Sequence, residues 1–203
     1  ACAVINGDSI PKADLLIELL LKRLPNLKSV VLNINKNRTN VILGKNSKTI
    51  WGSDTISDVL LGKRFVISPN SFYQVNHCQC ERLYEQAREY AGLTGNEVLL
   101  DLYCGVGTIG LTMADRVKQL VGIEIIPQAI ENAKINAGLN GITNSKFICA
   151  DAAKGADLLK KEGIKPDIVI LDPPRKGCDK ALLDTVEQMS PKKIVYVSCD
   201  SAT

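Results

Sequence analysis

The sequence has no apolar run near the roughly 18 residues that a membrane-spanning helix needs, which excludes such a span. The opening segment, Ala1 to Asp8, lacks a basic start followed by an apolar stretch, so no signal peptide is read and a cytoplasmic location is expected. Regular cysteine spacing is also missing. The seven cysteines, at Cys2, Cys78, Cys80, Cys104, Cys149, Cys178 and Cys199, repeat no interval, which argues against a disulfide framework and for reduced thiols. Cys78 and Cys80 lie beside His77, but one such cluster cannot fill four ligand positions, and no metal is expected. Internal repeats and low-complexity stretches are absent too. Neither sign of charge dominates: 25 Lys and Arg against 22 Asp and Glu leave a net charge of +3, which permits RNA binding without demanding it.

What is present is the composition of a globular protein, 45% hydrophobic and 23% charged over 203 residues, enough for one or two domains. The pattern changes near residue 70. Before it, residues 11–24 carry leucines at helical spacing (Leu15, Leu16, Leu19, Leu20), with Pro11 suited to a first turn. Strand-like runs follow at 30–34, 39–43, 49–51 and 65–67, so 1–70 is expected to be a small α+β region.

From 71 to 203 the chain alternates regularly. A helix is predicted over 75–90, followed by strands at 97–101, 119–124, 146–150, 167–171 and 193–198, with helices at 107–114, 127–139, 152–162 and 180–189 between them. Strand and helix repeating in this way imply a parallel, doubly wound sheet with right-handed crossovers, whose ligands bind at the C-terminal strand ends.

Chemistry concentrates at those ends. The first strand of the sheet runs into Asp101-Leu102-Tyr103-Cys104-Gly105-Val106-Gly107-Thr108-Ile109-Gly110, where glycines permit a tight turn and close approach of a ligand to a helix N-terminus. The second ends in Glu124, about 20 residues on, where a carboxylate can accept hydrogen bonds from ribose hydroxyls. Together they favour an adenosine-containing cofactor, NAD or S-adenosylmethionine. The fourth strand leads into Asp172-Pro173-Pro174-Arg175-Lys176-Gly177, a polar loop stiffened by proline. The fifth brings Ser198-Cys199-Asp200 to the same edge. A thiolate there could attack an electron-poor carbon, although a cysteine ending an apolar strand is by itself more often a small buried residue.

Four segments, in this order, resemble the RNA uracil-5-methyltransferase family, most closely its 23S ribosomal RNA members. They are Ser68-Pro69-Asn70-Ser71-Phe72-Tyr73-Gln74-Val75-Asn76, then 101–107, then 172–177, and last Val195-Tyr196-Val197-Ser198-Cys199-Asp200-Ser201-Ala202-Thr203. The resemblance implies a Rossmann-like class I methyltransferase sheet that binds S-adenosylmethionine through Gln74, Tyr103, Gly105, Gly107, Glu124 and Asp172. It also implies that Cys199 is the nucleophile and that the substrate is RNA, 23S rRNA first and tRNA second. Each residue type suits its role: an amide that donates and accepts, an aromatic face, acceptors for ribose. Among the basic residues Lys160, Lys161, Lys165, Arg175, Lys176, Lys192 and Lys193, only Arg175 and Lys176 sit in a motif.

Departures from the family pattern carry expectations of their own. Asp200-Ser201 stands where the family usually has Asn-Pro, and the sequence stops at Thr203, short of the two further strands and the glutamate general base found in relatives. The 203 residues are therefore expected to be a central fragment with its C-terminal strands missing. Alternatives are an amino-methyltransferase using a similar Asp-Pro-Pro loop, a non-catalytic RNA-binding module and, more distantly, a nicotinamide oxidoreductase.

Overall fold

Apolar runs without alternation mark strands covered on both faces, and the second half of the chain has three of them, at 98–102, 119–124 and 168–171, flanked by two strands that are more exposed. The computed structural model describes residues 1–37 and 41–198. The chain divides into two compact units, Ala1–Ser57 with Val66–Asn70, and Asp58–Phe65 with Ser71–Thr203.

In the smaller unit β1 (Cys2–Ile5), α1 (Ala13–Arg23) and β2 (Ser29–Ile34) form a parallel crossover, and β3 (Asn46–Gly52) pairs antiparallel with β2. Val30, Val31 and Leu32 are buried, as is Asn33, whose amide donates to Gly44 O at 2.9 Å and accepts from Gly44 N. Two expectations fail here. No strand forms over 41–43, because the Asn35 amide donates to the carbonyls of Val41 and Ile42 (2.8 and 2.9 Å), the acceptors a ladder would need; Thr39 and Asn40 lie outside the described residues. Pro11 is not in the first helical turn: Lys12 adopts a left-handed conformation (φ 52°), so the helix starts at Ala13. Sequence periodicity also passes over β1 and β4 (Ile56–Leu60), the latter joined to β5 (Lys63–Ile67) through Leu61 and Gly62, both at positive φ as a two-residue hairpin turn requires.

The larger unit opens with α2 (His77–Ala91), capped by the Asn76 side chain and ended by a left-handed Gly92. Then come β6 (Val98–Leu102), α3 (Thr108–Met113), β7 (Gln119–Glu124), α4 (Pro127–Leu139), β8 (Ser145–Cys149), α5 (Ala152–Lys161), β9 (Ile168–Leu171), α6 (Lys180–Met189) and β10 (Lys193–Tyr196). The strands form a parallel Rossmann-like sheet in the order β10-β9-β6-β7-β8. Successive side chains alternate between two cores. Leu99, Leu120, Ile168 and Ile170 pack with Tyr84, Ala87, Ile109 and Leu111 from α2 and α3; Leu100, Val121, Val169 and Leu171 pack with Ala156, Leu159, Leu182 and Val186 from α5 and α6. The strand order reverses between β6 and β9, which opens a crevice at their C-terminal ends.

Candidate functional site

Register brings the site together. Leu102 of β6 pairs with Ile123 of β7 and Leu171 of β9, so the residues that follow, Tyr103, Glu124 and Asp172, leave three adjacent strands at one level. On the next strand Tyr196 pairs with Leu171, and Val197 N donates to Leu171 O at 2.7 Å. Cys199, the expected nucleophile, lies outside the described residues.

The glycines of the loop after β6 have different tasks. A Cβ on Gly105 (φ +55°) would meet nothing within 4 Å, so this glycine keeps an open face. Gly107 and Gly110 instead face protein: a Cβ would come within 2.9 Å of Leu111 Cδ1 in one case, and 2.7 Å of Leu120 Cδ1 and 2.8 Å of Asp101 Oδ2 in the other. Gly107, left-handed at φ 84°, starts α3, and its N–H donates to Cys104 O. Tyr103 holds a left-handed φ of 64°, a strained conformation for a residue with a Cβ. Buried Asn136 on α4 braces the loop by donating to Val106 O at 3.0 Å.

Three carboxylates converge on this end of the sheet. Glu124 accepts from Gly105 N through Oε2 (3.2 Å) and from Ile126 N through Oε1 (2.9 Å), which fixes it at the strand end. Asp172 is partly buried, and that burial pushes its pKa up to about 6. Asp101, only 1% exposed, accepts from Gly110 N at 2.9 Å through Oδ2, while its buried Oδ1 has no partner among the described residues. Burial raises its pKa to about 7, with the Gly110 hydrogen bond opposing and the negative charges of Asp172 and Glu124 adding to the rise.

Sequence reasoning missed Asp101 as a functional candidate. The available signal was a carboxylate ending an otherwise apolar strand just ahead of the glycine loop. Of the basic residues, Lys161 pairs with Asp157 (2.7 Å), Lys192 with Asp167 (2.9 Å), Lys160 with Gln188, and Lys193 donates to the carbonyls of Tyr90 and Ala91 at the end of α2. Arg175 and Lys176 are exposed in the Asp-Pro-Pro loop. That loop returns to the glycine loop: hydrogen bonds to Tyr103 and Tyr196 partly offset the burial that raises the Cys178 thiol. Gln74 is half-buried in the segment 71–76, where the Asn132 amide of α4 donates to Ser71 Oγ at 3.0 Å.

An orphaned buried carboxylate oxygen on Asp101, a glycine with an open face, and Glu124 and Asp172 at one strand-end level two residues further on suit a ligand bearing positive charge and hydroxyl donors better than the anionic diphosphate of a dinucleotide. Comparison with known proteins narrows this further. The sequence pattern of the tRNA (Uracil-5-)-methyltransferase family matches residues 21–203. The chain belongs to this family.

Among curated relatives, an uncharacterized RNA methyltransferase of Staphylococcus aureus is 49% identical over 98% of this chain, as is one of Clostridium acetobutylicum. The chain spans 44% of the length of each. Of solved structures, the tRNA (uracil-54, C5)-methyltransferase of Pyrococcus abyssi, in complex with S-adenosyl-L-homocysteine, is 29% identical with a TM-score of 0.75, covering 98% of this chain and 46% of that one. A SAM-dependent methyltransferase from Agrobacterium tumefaciens, at 20% identity and a TM-score of 0.61 over 89% of this chain and 63% of that one, shares the fold.

Proposed function

We infer that the protein uses S-adenosylmethionine to methylate C5 of a uridine in RNA through a covalent cysteine adduct. The observation that carries the cofactor reading is the convergence of Asp101, Glu124 and Asp172 at the crevice of a family-member sheet. When bound, the cofactor supplies an electrophilic methyl group on a positively charged sulfur, and anionic side chains are the complement of that charge. Glu124, held by two backbone N–H groups, retains lone pairs for ribose hydroxyls. Tyr103 offers its ring, Gly105 its open backbone, Gln74 its amide, and Gly107 sets the turn that starts α3.

Uracil C5 is too weak a nucleophile to take a methyl group directly. Addition of the Cys199 thiolate to C6 makes C5 electron-rich; after methylation a base removes the C5 proton, and elimination restores the C5–C6 double bond and frees the thiolate. The target base must leave its stack to reach the thiol. Arg175 and Lys176 are the phosphate contacts assigned to the Asp172 loop. The wording of the four sequence segments favours 23S rRNA as substrate; transfer RNA is the second reading, supported by the likeness to the Pyrococcus abyssi tRNA (uracil-54, C5)-methyltransferase.

The test is intact-protein mass spectrometry after incubation with S-adenosylmethionine and RNA carrying 5-fluorouridine, with Cys199→Ala as control. Fluorine cannot leave C5 as a proton, so an adduct should accumulate with wild type and be missing from the control. The RNA that yields it, 23S rRNA or tRNA, names the substrate. Methylation of unsubstituted RNA by the Cys199→Ala protein would overturn the covalent route.

A further inference from the structure

The 71–76 segment, which presents Gln74, gets little help from its own apolar side chains: Phe72 is 74% exposed and Val75 is 99% exposed. Polar clips hold it instead. Tyr73 packs its ring on the core formed with α2 and α3, and its hydroxyl donates to Asp58 Oδ2 at 3.1 Å. His77, the first residue of α2, directs Nδ1 to the same oxygen at 3.2 Å. Asp58 therefore grips the chain on both sides of Gln74, one residue before and three after. A second clip runs in parallel: Glu81 Oε1 accepts from Leu61 N at 3.0 Å and faces His77 Nε2 at 3.5 Å. The hairpin segment 58–61 and the start of α2 are thus joined by two carboxylates with the only histidine of the sequence between them.

We propose that Asp58 is a positioning residue for cofactor binding, acting through Tyr73 and His77 to hold the backbone on either side of Gln74. This rests on the reading that Gln74 contacts S-adenosylmethionine. The two hydrogen bonds to one Asp58 oxygen fix the backbone on either side of Gln74, while Asn132 holds Ser71 at the start of the segment and Phe72 and Val75 stay exposed. Both contacts end on the same oxygen, so one acceptor atom ties the chain at two points around Gln74.

The test uses the full-length protein with Asp58→Ala, Asp58→Asn, Gln74→Ala and the Asp58→Ala/Gln74→Ala double variant. S-adenosylmethionine affinity is read by calorimetry, the fraction of binding-competent protein from the same titration, and KM and kcat from methyl transfer. Asp58→Ala should weaken affinity and raise the cofactor KM by about tenfold, with kcat and the competent fraction little changed. Asp58→Asn keeps an acceptor oxygen for Tyr73 and should recover most of the loss. The double variant should bind no worse than Gln74→Ala alone, since positioning through Gln74 is redundant once its amide is gone. Additive losses in the double variant, or a fall in competent fraction with affinity intact, would overturn the proposal. If Gln74→Ala binds normally, the assignment of Gln74 fails and takes this inference with it. If Gln74→Ala binds weakly while Asp58→Ala binds normally, only the inference fails.

Discussion

Asp101→Asn should make the ligand-free protein more stable at neutral and alkaline pH, although it removes a charged group from the candidate site. In the folded chain the Asp101 carboxyl is raised from 3.8 to about 7, chiefly by burial. Between these two values the folded protein keeps a proton that the unfolded chain has released, so this group's contribution to stability falls as pH rises across the window and is flat above it. The difference of roughly 3 pKa units corresponds to about 4 kcal/mol lost between acid and alkaline limits. The amide keeps an acceptor for Gly110 N, now 2.9 Å from Oδ2, while its NH2 falls where Oδ1 has no partner among the described residues. That unmet donor costs about 1–3 kcal/mol, but the protonated wild type carries a similar unmet hydroxyl, so the penalty largely cancels in acid. Urea denaturation should give nearly equal stabilities near about pH 4 and an advantage for the variant of about 1–4 kcal/mol near pH 8. Equal stability at both pH values, or a variant less stable at pH 8, would show that Asp101 is not a strained buried anion.

Three further outcomes follow from the same geometry. S-adenosylmethionine should bind more tightly as pH rises from about 5 to about 8, because a cationic ligand favours the ionised forms of Asp172 and Asp101, whose pKa values of about 6 and about 7 lie in that range; calorimetry in two buffers of different ionisation enthalpy should report proton release on binding, and a flat affinity profile would refute the assignment. Gly110→Ala should lose about 1–3 kcal/mol in urea denaturation, since its Cβ would press on Leu120 and Asp101, whereas Gly105→Ala should lose only about 1 kcal/mol, from its left-handed φ. Asn136→Ala leaves the Val106 carbonyl without its buried donor and should lower stability by about 1–3 kcal/mol, read by the same method.

Much of the parallel sheet was legible in the sequence because fully covered strands are short apolar runs and the helices between them carry caps: Asp151, Asp179 and Pro127 mark helix starts as their side-chain chemistry requires. The elements that escaped are those whose formation depends on partners far along the chain. β1 is four residues long and exists through its pairing with β2, and the region 41–43 has strand composition but gives its carbonyls to the Asn35 side chain. α1 has the leucine spacing of an amphipathic helix yet buries no residue, so periodicity located the helix without saying what covers it.

For the candidate site, sequence alone determined the residue types and their order: a glycine loop, a carboxylate about 20 residues later, an Asp-Pro-Pro loop and a terminal cysteine. Local chemistry dictates these, because a tight turn needs glycine and a ribose contact needs an acceptor. Only the tertiary structure decided which glycine faces open space and which press on Leu111, Leu120 and Asp101, since that depends on the atoms the sheet brings opposite them. It alone exposed Asp101, whose significance lies in burial beside two other carboxylates on neighbouring strands. It alone joined Asp58 to Tyr73 and His77, 15 and 19 residues away, a contact no local pattern encodes. Residue identity supplies a site's chemistry, whereas solvent exclusion and through-space charge set its strength, and both belong to the folded chain.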